Sequence, residues 1–174
     1  MKTLLFSFLV LMFVSTSAFA QFTQSEMLTE WQRAKTYTKA YLDAMPADGY
    51  SFKPTPEIRS FAEQMLHLAA DNYGFAAFAS GKPNPIGDSS LEKIARPTKE
   101  ATTKIVMDSY DFMISTLQSM TADQMNEMVK RRTGQEISRA NLFGKGFEHQ
   151  THHRGQTTIY LRLKGVTPPN EMLF

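Results

Sequence analysis

Three of the four histidines in the 174-residue sequence lie within five positions of one another, in the run H-Q-T-H-H over residues 149–153. If this run is helical, His149 and His153 are separated by one step of four residues, a rise of about 6 Å, and both imidazoles reach the same point beside the helix. Such a pair is a recurrent half-site for a divalent metal ion, as in the H-E-x-x-H motif of zinc proteases. Gln150 replaces the catalytic glutamate of that motif, so a protease of that class is not predicted. His152 points about 100° away from His153 and is expected to face solvent.

A metal site built on this pair needs at least one further ligand. His67 is the remaining histidine, and it lies inside a predicted helix. The sequence contains no cysteine, which excludes thiolate ligands, thiol nucleophiles and disulfide bonds. An inward-facing histidine is most often a hydrogen-bonded core residue, so spacing alone leaves metal binding and core packing as equal alternatives for the pair.

Several polar residues are placed to support such a site. Asp71 follows His67 by four residues and Gln64 precedes it by three, so both share its helical face. Either side chain can orient an imidazole through a hydrogen bond, and Asp71 can also be a fourth ligand or a solvated surface carboxylate. Arg154 and Gln156 are further candidates for hydrogen bonds to the site, although Arg154 can equally form an ion pair that stabilises the fold. No residue is identified as catalytic.

Four long segments have the apolar spacing and end signals of helices that could position these residues. They are predicted over residues 24–45, 56–80, 99–119 and 138–164. Thr55 is expected to cap the second helix, with Pro56 as its first residue and Ile58 on its apolar face. The fourth helix should end at Gly165 in a left-handed cap. Four long helices and no convincing strand predict the fold class: an all-α four-helix bundle.

The connections between these helices contain turn-forming residues. Proline and glycine interrupt the helical period over residues 47–55 and 81–90, a short helical segment is predicted at 121–128, and an exposed turn at 130–135. Gly144 and Gly146 weaken the fourth helix, so we interpret them either as permitting close helix packing or as part of a frayed first turn.

The first twenty residues have the pattern of a secretory signal peptide. Lys2 supplies a charged start, residues 4–14 are apolar, and residues 18–20 match an A-x-A cleavage site. The apolar stretch of about 11 residues is shorter than the roughly 20 that span a bilayer. The sequence therefore predicts cleavage after Ala20 and one mature domain over residues 21–174 that is periplasmic or secreted, without a membrane span.

The charge composition argues against a nucleic-acid-binding function. The net charge is +2, and loss of Lys2 with the leader lowers it to +1. Nucleic-acid-binding domains usually carry a basic excess on one face. The three basic residues at 130–132 adjoin the predicted turn, and we interpret them as solvated surface without a function.

The histidine run continues as H-Q-T-H-H-R-G-Q over residues 149–156, followed by Tyr160, Arg162, Gly165 and Pro168-Pro169. This motif resembles the signature of the DinB family. The segment P-T-P-E-I-R-S-F over residues 54–61, which leads to His67, is similar to the start of the family's second helix. The resemblance covers residues 23–169. It implies a bundle in up-down-down-up order, with one divalent metal ion bound by His67, His149 and His153.

The resemblance also implies a range of functions. Proteins of this kind bind divalent metal ions, and some related members transfer low-molecular-weight thiols or isomerise substrates with them. A thiol cosubstrate is not expected here, because the predicted leader removes the chain from the compartment where such thiols accumulate. The leading hypothesis is metal-dependent hydrolysis or group transfer on an unidentified small molecule. The alternatives are a non-catalytic metal- or ligand-binding protein and a structural dimer in which the metal pins the helices.

Two further properties follow from these arguments. Zinc is the first metal expected, with nickel or iron as alternatives, because imidazole suits all three. A homodimer is expected from the resemblance and from the general tendency of soluble proteins to form two-fold pairs.

Overall fold

Helices account for most of the residues that the structure describes. The structure is a computed structural model, and it describes residues 23–95 and 97–174. In these ranges the order is α1 (Gln24–Ala44), α2 (Phe61–Ser80), α3 (Lys99–Gln118), α4 (Ala122–Asn126), β1 (Met128–Lys130), β2 (Glu136–Ser138) and α5 (Arg139–Leu163). Short 3-10 turns at Ala47–Gly49 and Leu91–Lys93 lie in the two long connections. The predicted leader, residues 1–20, lies outside the described residues.

Three of the long helices begin where the sequence predicts. At the start of α1, Glu26 donates its backbone amide to the Thr23 hydroxyl at 3.2 Å and accepts from the Thr23 amide at 2.7 Å. This reciprocal pair satisfies amides that have no partner inside the helix. The helix ends before Pro46, and α3 and α5 follow the side-chain caps Thr98 and Ser138.

The predicted start of α2 is wrong. Ser60 caps the helix in place of Thr55, and Glu63 closes the capping box by accepting from the Ser60 amide at 2.7 Å. The amide of Phe61 donates to a carbonyl of the preceding loop, so it cannot bond the carbonyl that an earlier helix start would offer. As a result Ile58 lies outside the helix and is 43% exposed, instead of facing the core.

A β-hairpin between α4 and α5 was not predicted. The two strands pair antiparallel, with Met128 opposite Ser138 and Lys130 opposite Glu136. Each strand has three residues, which is too short for an alternating pattern to be recognisable in the sequence. The predicted turn joins the strands, and Gly134 takes a φ of +88° there, a conformation that glycine adopts without steric cost.

Contacts near the helix ends show which helices are antiparallel. Gln24, at the start of α1, donates to the carbonyl of Leu117, at the end of α3, at 2.7 Å. Arg139, at the start of α5, donates to the carbonyl of Ala79, near the end of α2, at 2.6 Å. Therefore α1 runs opposite to α3, and α2 runs opposite to α5.

Two other pairs of neighbouring helices, α2 with α3 and α1 with α5, are parallel. Lys82, just after the end of α2, donates to the hydroxyl of Ser119, just after the end of α3, at 2.9 Å. The hydroxyls of Tyr41 and Thr158, late in α1 and α5, lie 2.9 Å apart. These contacts confirm a four-helix bundle in up-down-down-up order.

A chain of buried hydrogen bonds crosses the core. The hydroxyls of Thr38 on α1 and Tyr110 on α3 lie 2.7 Å apart, and Tyr110 donates to the side-chain oxygen of Gln150 on α5 at 2.8 Å. Arg154 donates to the same oxygen at 3.0 Å. All four side chains are buried, so the chain joins three helices inside the core.

Close packing explains one of the two glycines in α5. A Cβ at Gly146 would lie 3.2 Å from Cβ of Phe75 and 3.3 Å from the methyl group of Met113, which is tighter than ordinary contact. At Gly144 no such atom lies within 4 Å. The close-packing interpretation is therefore confirmed for Gly146 and wrong for Gly144. In residues 23–95 and 97–174, no helix combines the length and the apolar character needed to cross a membrane.

Candidate metal centre

Three histidines meet where α2 packs antiparallel against α5. His67 lies in the first half of α2, and His149 and His153 lie one helical step apart in α5. The ring centroid of His67 lies 5.2 Å from that of His149 and 4.5 Å from that of His153, and the centroids of the two α5 rings are 4.3 Å apart. One nitrogen of each ring lies within 4.8 Å of the other two. This histidine cluster consists of the three residues singled out from the sequence, and it could hold a metal ion.

Asp71 completes the cluster from α2. Its Oδ2 lies 2.7 Å from Nε2 of His149 and 3.5 Å from Nε2 of His67. Burial acts to raise the pKa of Asp71, but the hydrogen bond from His149 and the charges of the histidines outweigh it and hold that pKa below its usual value. Asp71 is therefore a carboxylate at neutral pH that faces the histidines, rather than a purely solvated surface residue.

His67 is oriented by a residue that sequence reasoning missed. Its Nδ1 lies 2.7 Å from Oε1 of Glu92, which belongs to the 3-10 turn Leu91–Lys93. A carboxylate accepts hydrogen bonds, so it fixes the proton on Nδ1 and leaves the Nε2 lone pair directed at the cluster. Arg59 in turn binds Glu92 through Nε at 2.6 Å. No spacing rule relates Glu92 to His67, because the turn lies in an irregular connection.

Gln64 orients an imidazole, as the sequence allowed, but the imidazole belongs to His153 and not to His67. The Gln64 amide lies 2.8 Å from Nδ1 of His153 and also bonds Gln156, whose amide contacts His152. As placed, the Gln64 nitrogen donates both to Nδ1 of His153 and to the side-chain oxygen of Gln156. A donating Nδ1, with the lone pair of His153 on Nε2, requires the amides of Gln64 and Gln156 to turn together, since turning Gln64 alone would set two oxygens against each other. Burial, followed by the charges of the other histidines, lowers the pKa of His153 to about 4. The ring is therefore neutral at neutral pH, as a metal ligand must be.

His149 has fewer constraints than the other two rings. Its Nδ1 is buried and has no hydrogen-bond partner in the described part of the chain. With its proton on Nε2, the neutral ring donates to Asp71 and leaves Nδ1 as the unpartnered atom. The position of His149 therefore depends on Asp71. Three imidazoles beside one carboxylate are a donor set that suits zinc, nickel and iron.

Two residues singled out from the sequence lie outside the cluster. His152 is exposed and bonds Gln156 at 2.8 Å, so the prediction that it faces solvent is confirmed. Arg154 is buried between α1 and α5, with its guanidinium 4.3 Å from the ring centroid of Tyr37 and a hydrogen bond to Gln150. Within residues 23–95 and 97–174, no carboxylate forms an ion pair with Arg154. It stabilises the bundle through an aromatic ring and an amide.

Comparison with known proteins identifies the family of the chain. The sequence model described as the DinB family matches residues 12–172. The chain belongs to the DinB family. It is 20% identical over 147 residues to YjoA of Bacillus subtilis (strain 168), which is described as an uncharacterized protein. The match covers 82% of this chain and 92% of YjoA.

Solved structures of DinB-like proteins have the same fold. A DinB-like protein from Bacillus cereus gives a TM-score of 0.72 at 19% identity, covering 84% of this chain and 96% of that one. The crystal structure of YjoA gives 0.66 at 18% identity, covering 86% and 96%. A conserved protein from Enterococcus faecalis gives 0.68 at 15% identity, covering 81% and 96%. At these identities the likeness shows the fold alone.

Two adjoining cavities open beside the histidine cluster of this DinB-family chain. The larger has a volume of about 330 Å³ and reaches His149, and the smaller has about 190 Å³ and reaches Asp71. They share a wall formed by Phe75, Leu142 and Arg131, and together we call them the groove. The remaining lining residues of the larger cavity are Ile137, Lys145, Glu148 and His152. Arg131 was interpreted from the sequence as solvated surface without a function, yet it borders both cavities.

Proposed function

We propose that this DinB-family chain binds one divalent metal ion through His67, His149 and His153 and uses it for hydrolysis or group transfer on a small molecule. The observation that carries the proposal is the convergence of three imidazoles beside an open cavity. Catalytic zinc sites commonly use three protein ligands and keep one position for substrate, whereas structural sites close all four. The groove that reaches His149 supplies space for such a position.

The surrounding side chains suit this role. Glu92 and Gln64 hydrogen-bond to Nδ1 of His67 and of His153, which fixes the orientation of two of the three rings. When bound, a divalent ion supplies positive charge that polarises a carbonyl or phosphoryl oxygen of the substrate. Asp71 is ionised at neutral pH and lies beside the same space, so it can accept a proton from a reacting group.

The position of Asp71 also supports a second candidate function. Its carboxylate lies within 3.5 Å of Nε2 on both His67 and His149, so it can act as a fourth ligand. A site with four protein ligands is closed, which favours a non-catalytic metal-binding protein or a structural metal that pins α2 to α5. The partly exposed Asp71 side chain and the adjacent groove favour the catalytic alternative.

Metal identity, location and assembly form part of the proposal. Zinc is the first metal we expect, with nickel or iron as alternatives. Export, with cleavage after Ala20, is supported by the charged, apolar and A-x-A pattern of residues 1–20. A homodimer is supported by the general frequency of two-fold pairs, and light scattering at tens of micromolar protein tests it.

Elemental analysis of purified protein tests the metal site. We expect about one divalent ion per chain. Changing His67, His149 or His153 to alanine should lower the affinity for the ion by orders of magnitude. His152→Ala is the matched control, because this exposed histidine lies in the same run and should leave occupancy unchanged. Full occupancy in His67→Ala would assign the ion to α5 alone and refute a site between α2 and α5. Metal-loaded protein is then screened against esters, amides and phosphoesters.

A further inference from the structure

Arg131 carries an unpaired charge at the edge of the groove. It lines both cavities, and its side chain contacts the amide oxygen of Gln135 at 3.4 Å. In the described part of the chain, no carboxylate lies within ion-pair distance of its guanidinium. By contrast, Lys145 at the rim of the larger cavity is paired with Glu148 at 2.7 Å. Arg131 is therefore the uncompensated cation facing this space.

The walls between Arg131 and the histidine cluster are largely apolar. Phe75 and Leu142 form the wall that both cavities share, and Ile137 from β2 lines the larger one. At the far end the groove reaches His149 and Asp71. The groove thus has a cationic end, an apolar middle and an end with a histidine and a carboxylate.

We infer that the groove binds a small organic monoanion with an apolar body, whose carboxylate is held by Arg131. This inference rests on the proposed function, since it takes the histidine cluster to be the reacting end of the groove. A guanidinium binds a carboxylate through two parallel hydrogen bonds. A carboxylate held by Arg131 places the apolar body along Phe75 and Leu142 and the opposite end of the molecule at the cluster. One unpaired cation matches one negative charge, and apolar walls with few polar groups are typical of small-molecule sites.

Calorimetric titration with 4-phenylbutyrate tests the inference on the zinc-loaded protein. The uncharged 4-phenylbutyramide, with the same apolar body, is the matched ligand control. Arg131→Gln removes the cation but leaves the hairpin, whose bond from residue 131 to residue 135 is made by backbone atoms. Arg132→Gln is the matched protein control, because Arg132 is exposed in the same turn and lines neither cavity.

We expect the acid to bind about tenfold or more weakly to Arg131→Gln than to wild type, because hydrogen bonds to a charged partner are the strong ones. Arg132→Gln should bind the acid as wild type does, and the amide should bind wild type about as weakly as the acid binds Arg131→Gln. Equal binding of the acid to Arg131→Gln and wild type, or no binding to wild type, overturns the inference.

Zinc content and the His67→Ala variant separate this inference from the proposed function. Because Arg131 is not a metal ligand, His67→Ala should still bind the acid after it has lost zinc. If binding disappears in His67→Ala but persists in Arg131→Gln, the carboxylate sits on the metal and the Arg131 assignment is wrong. Failure of wild type to take up zinc refutes the proposed function, and the acid titration still reports on Arg131.

Discussion

The carboxylate of Glu92 lies 2.7 Å from Nδ1 of His67, whereas Asp71 lies on the Nε2 side of the same ring. The contact joins an irregular connection to a residue in the middle of the bundle. Such outer carboxylates fix the tautomer of a ligating imidazole and raise its basicity. Glu92 is therefore a positioning residue for the proposed metal site.

Replacing Glu92 should weaken metal binding without unfolding the bundle. We expect Glu92→Ala to lower zinc affinity by about 10- to 100-fold, the usual effect of losing such a partner. Glu92→Gln keeps an oxygen that accepts from Nδ1 and should lose less. Competition with a fluorescent chelator measures both affinities.

The ion pair between Arg59 and Glu92 supplies the control for that prediction. Arg59→Gln removes the pair but leaves the carboxylate on His67, and this pair is open enough to solvent to contribute only about 0–1 kcal/mol. Its zinc affinity should stay close to that of wild type. An equal loss in Arg59→Gln and Glu92→Ala would mean that the ion pair, and not the hydrogen bond to His67, matters for binding.

Asp71→Asn distinguishes an open site from a closed one. In an open site with three histidine ligands, the amide oxygen of the variant still accepts from Nε2 of His149, so the variant should retain full occupancy and the visible spectrum of the cobalt-substituted protein should be unchanged. Glu148→Gln is the control, because this carboxylate also borders the groove but is paired with Lys145. A spectral shift confined to Asp71→Asn would identify Asp71 as a fourth ligand and favour the structural alternative.

The two glycines of α5 should respond differently to alanine. Gly144→Ala should stabilise the protein by up to about 1 kcal/mol, since alanine is the better helix former and its Cβ meets no neighbour. Gly146→Ala gains the same propensity, but its Cβ must displace Phe75 or Met113, and overpacking typically costs about 1–3 kcal/mol. Urea unfolding measures both. Equal free energies of unfolding for the two variants would contradict close packing at Gly146.

Metal-free protein should lose stability on mild acidification because of His153. The folded-state pKa of His153 is about 4, below the ordinary value of 6.5, so the unfolded chain takes up the proton first as pH falls. The stabilisation of the folded protein by neutral His153 is fully present above pH 6.5 and is lost as pH falls from 6.5 to about 4. Urea unfolding in chelator should therefore show a smaller acid-induced loss in His153→Gln than in wild type. The exposed control His152→Gln should behave as wild type does, and identical losses in all three proteins would rule out this role of His153.

Export predicts a specific mature mass. If the leader is removed after Ala20, mass spectrometry of native protein should show a chain that begins at Gln21. A soluble cytoplasmic protein that retains residues 1–20 would refute export and restore a thiol cosubstrate as a possibility.

The sequence predicted features that depend on local spacing. Capping residues and apolar periodicity located α1, α3 and α5, and the i, i+4 rule placed His149 and His153 on one face. Local spacing gave the wrong start for α2, because Thr55 is also a plausible cap. Ser60 caps the helix instead, since hydrogen bonds between the helix start and the preceding loop favour a start at Phe61. Glu92 and Arg131 could not be predicted for the same reason: each reaches the site through a connection whose path is set by tertiary packing.

The buried hydrogen bonds that join Thr38, Tyr110 and Gln150 have a consequence for the uniqueness of the fold. Methionine and leucine contacts tolerate sliding of one helix along another, since apolar side chains can exchange neighbours at little cost. A slip of one helical turn would instead separate these three polar groups, and each would lose its partner away from water at about 1–3 kcal/mol. The hydrogen-bonded chain thus selects one axial register among α1, α3 and α5. Because His149 and His153 flank Gln150 on α5, the same register sets the height at which they meet His67 on α2.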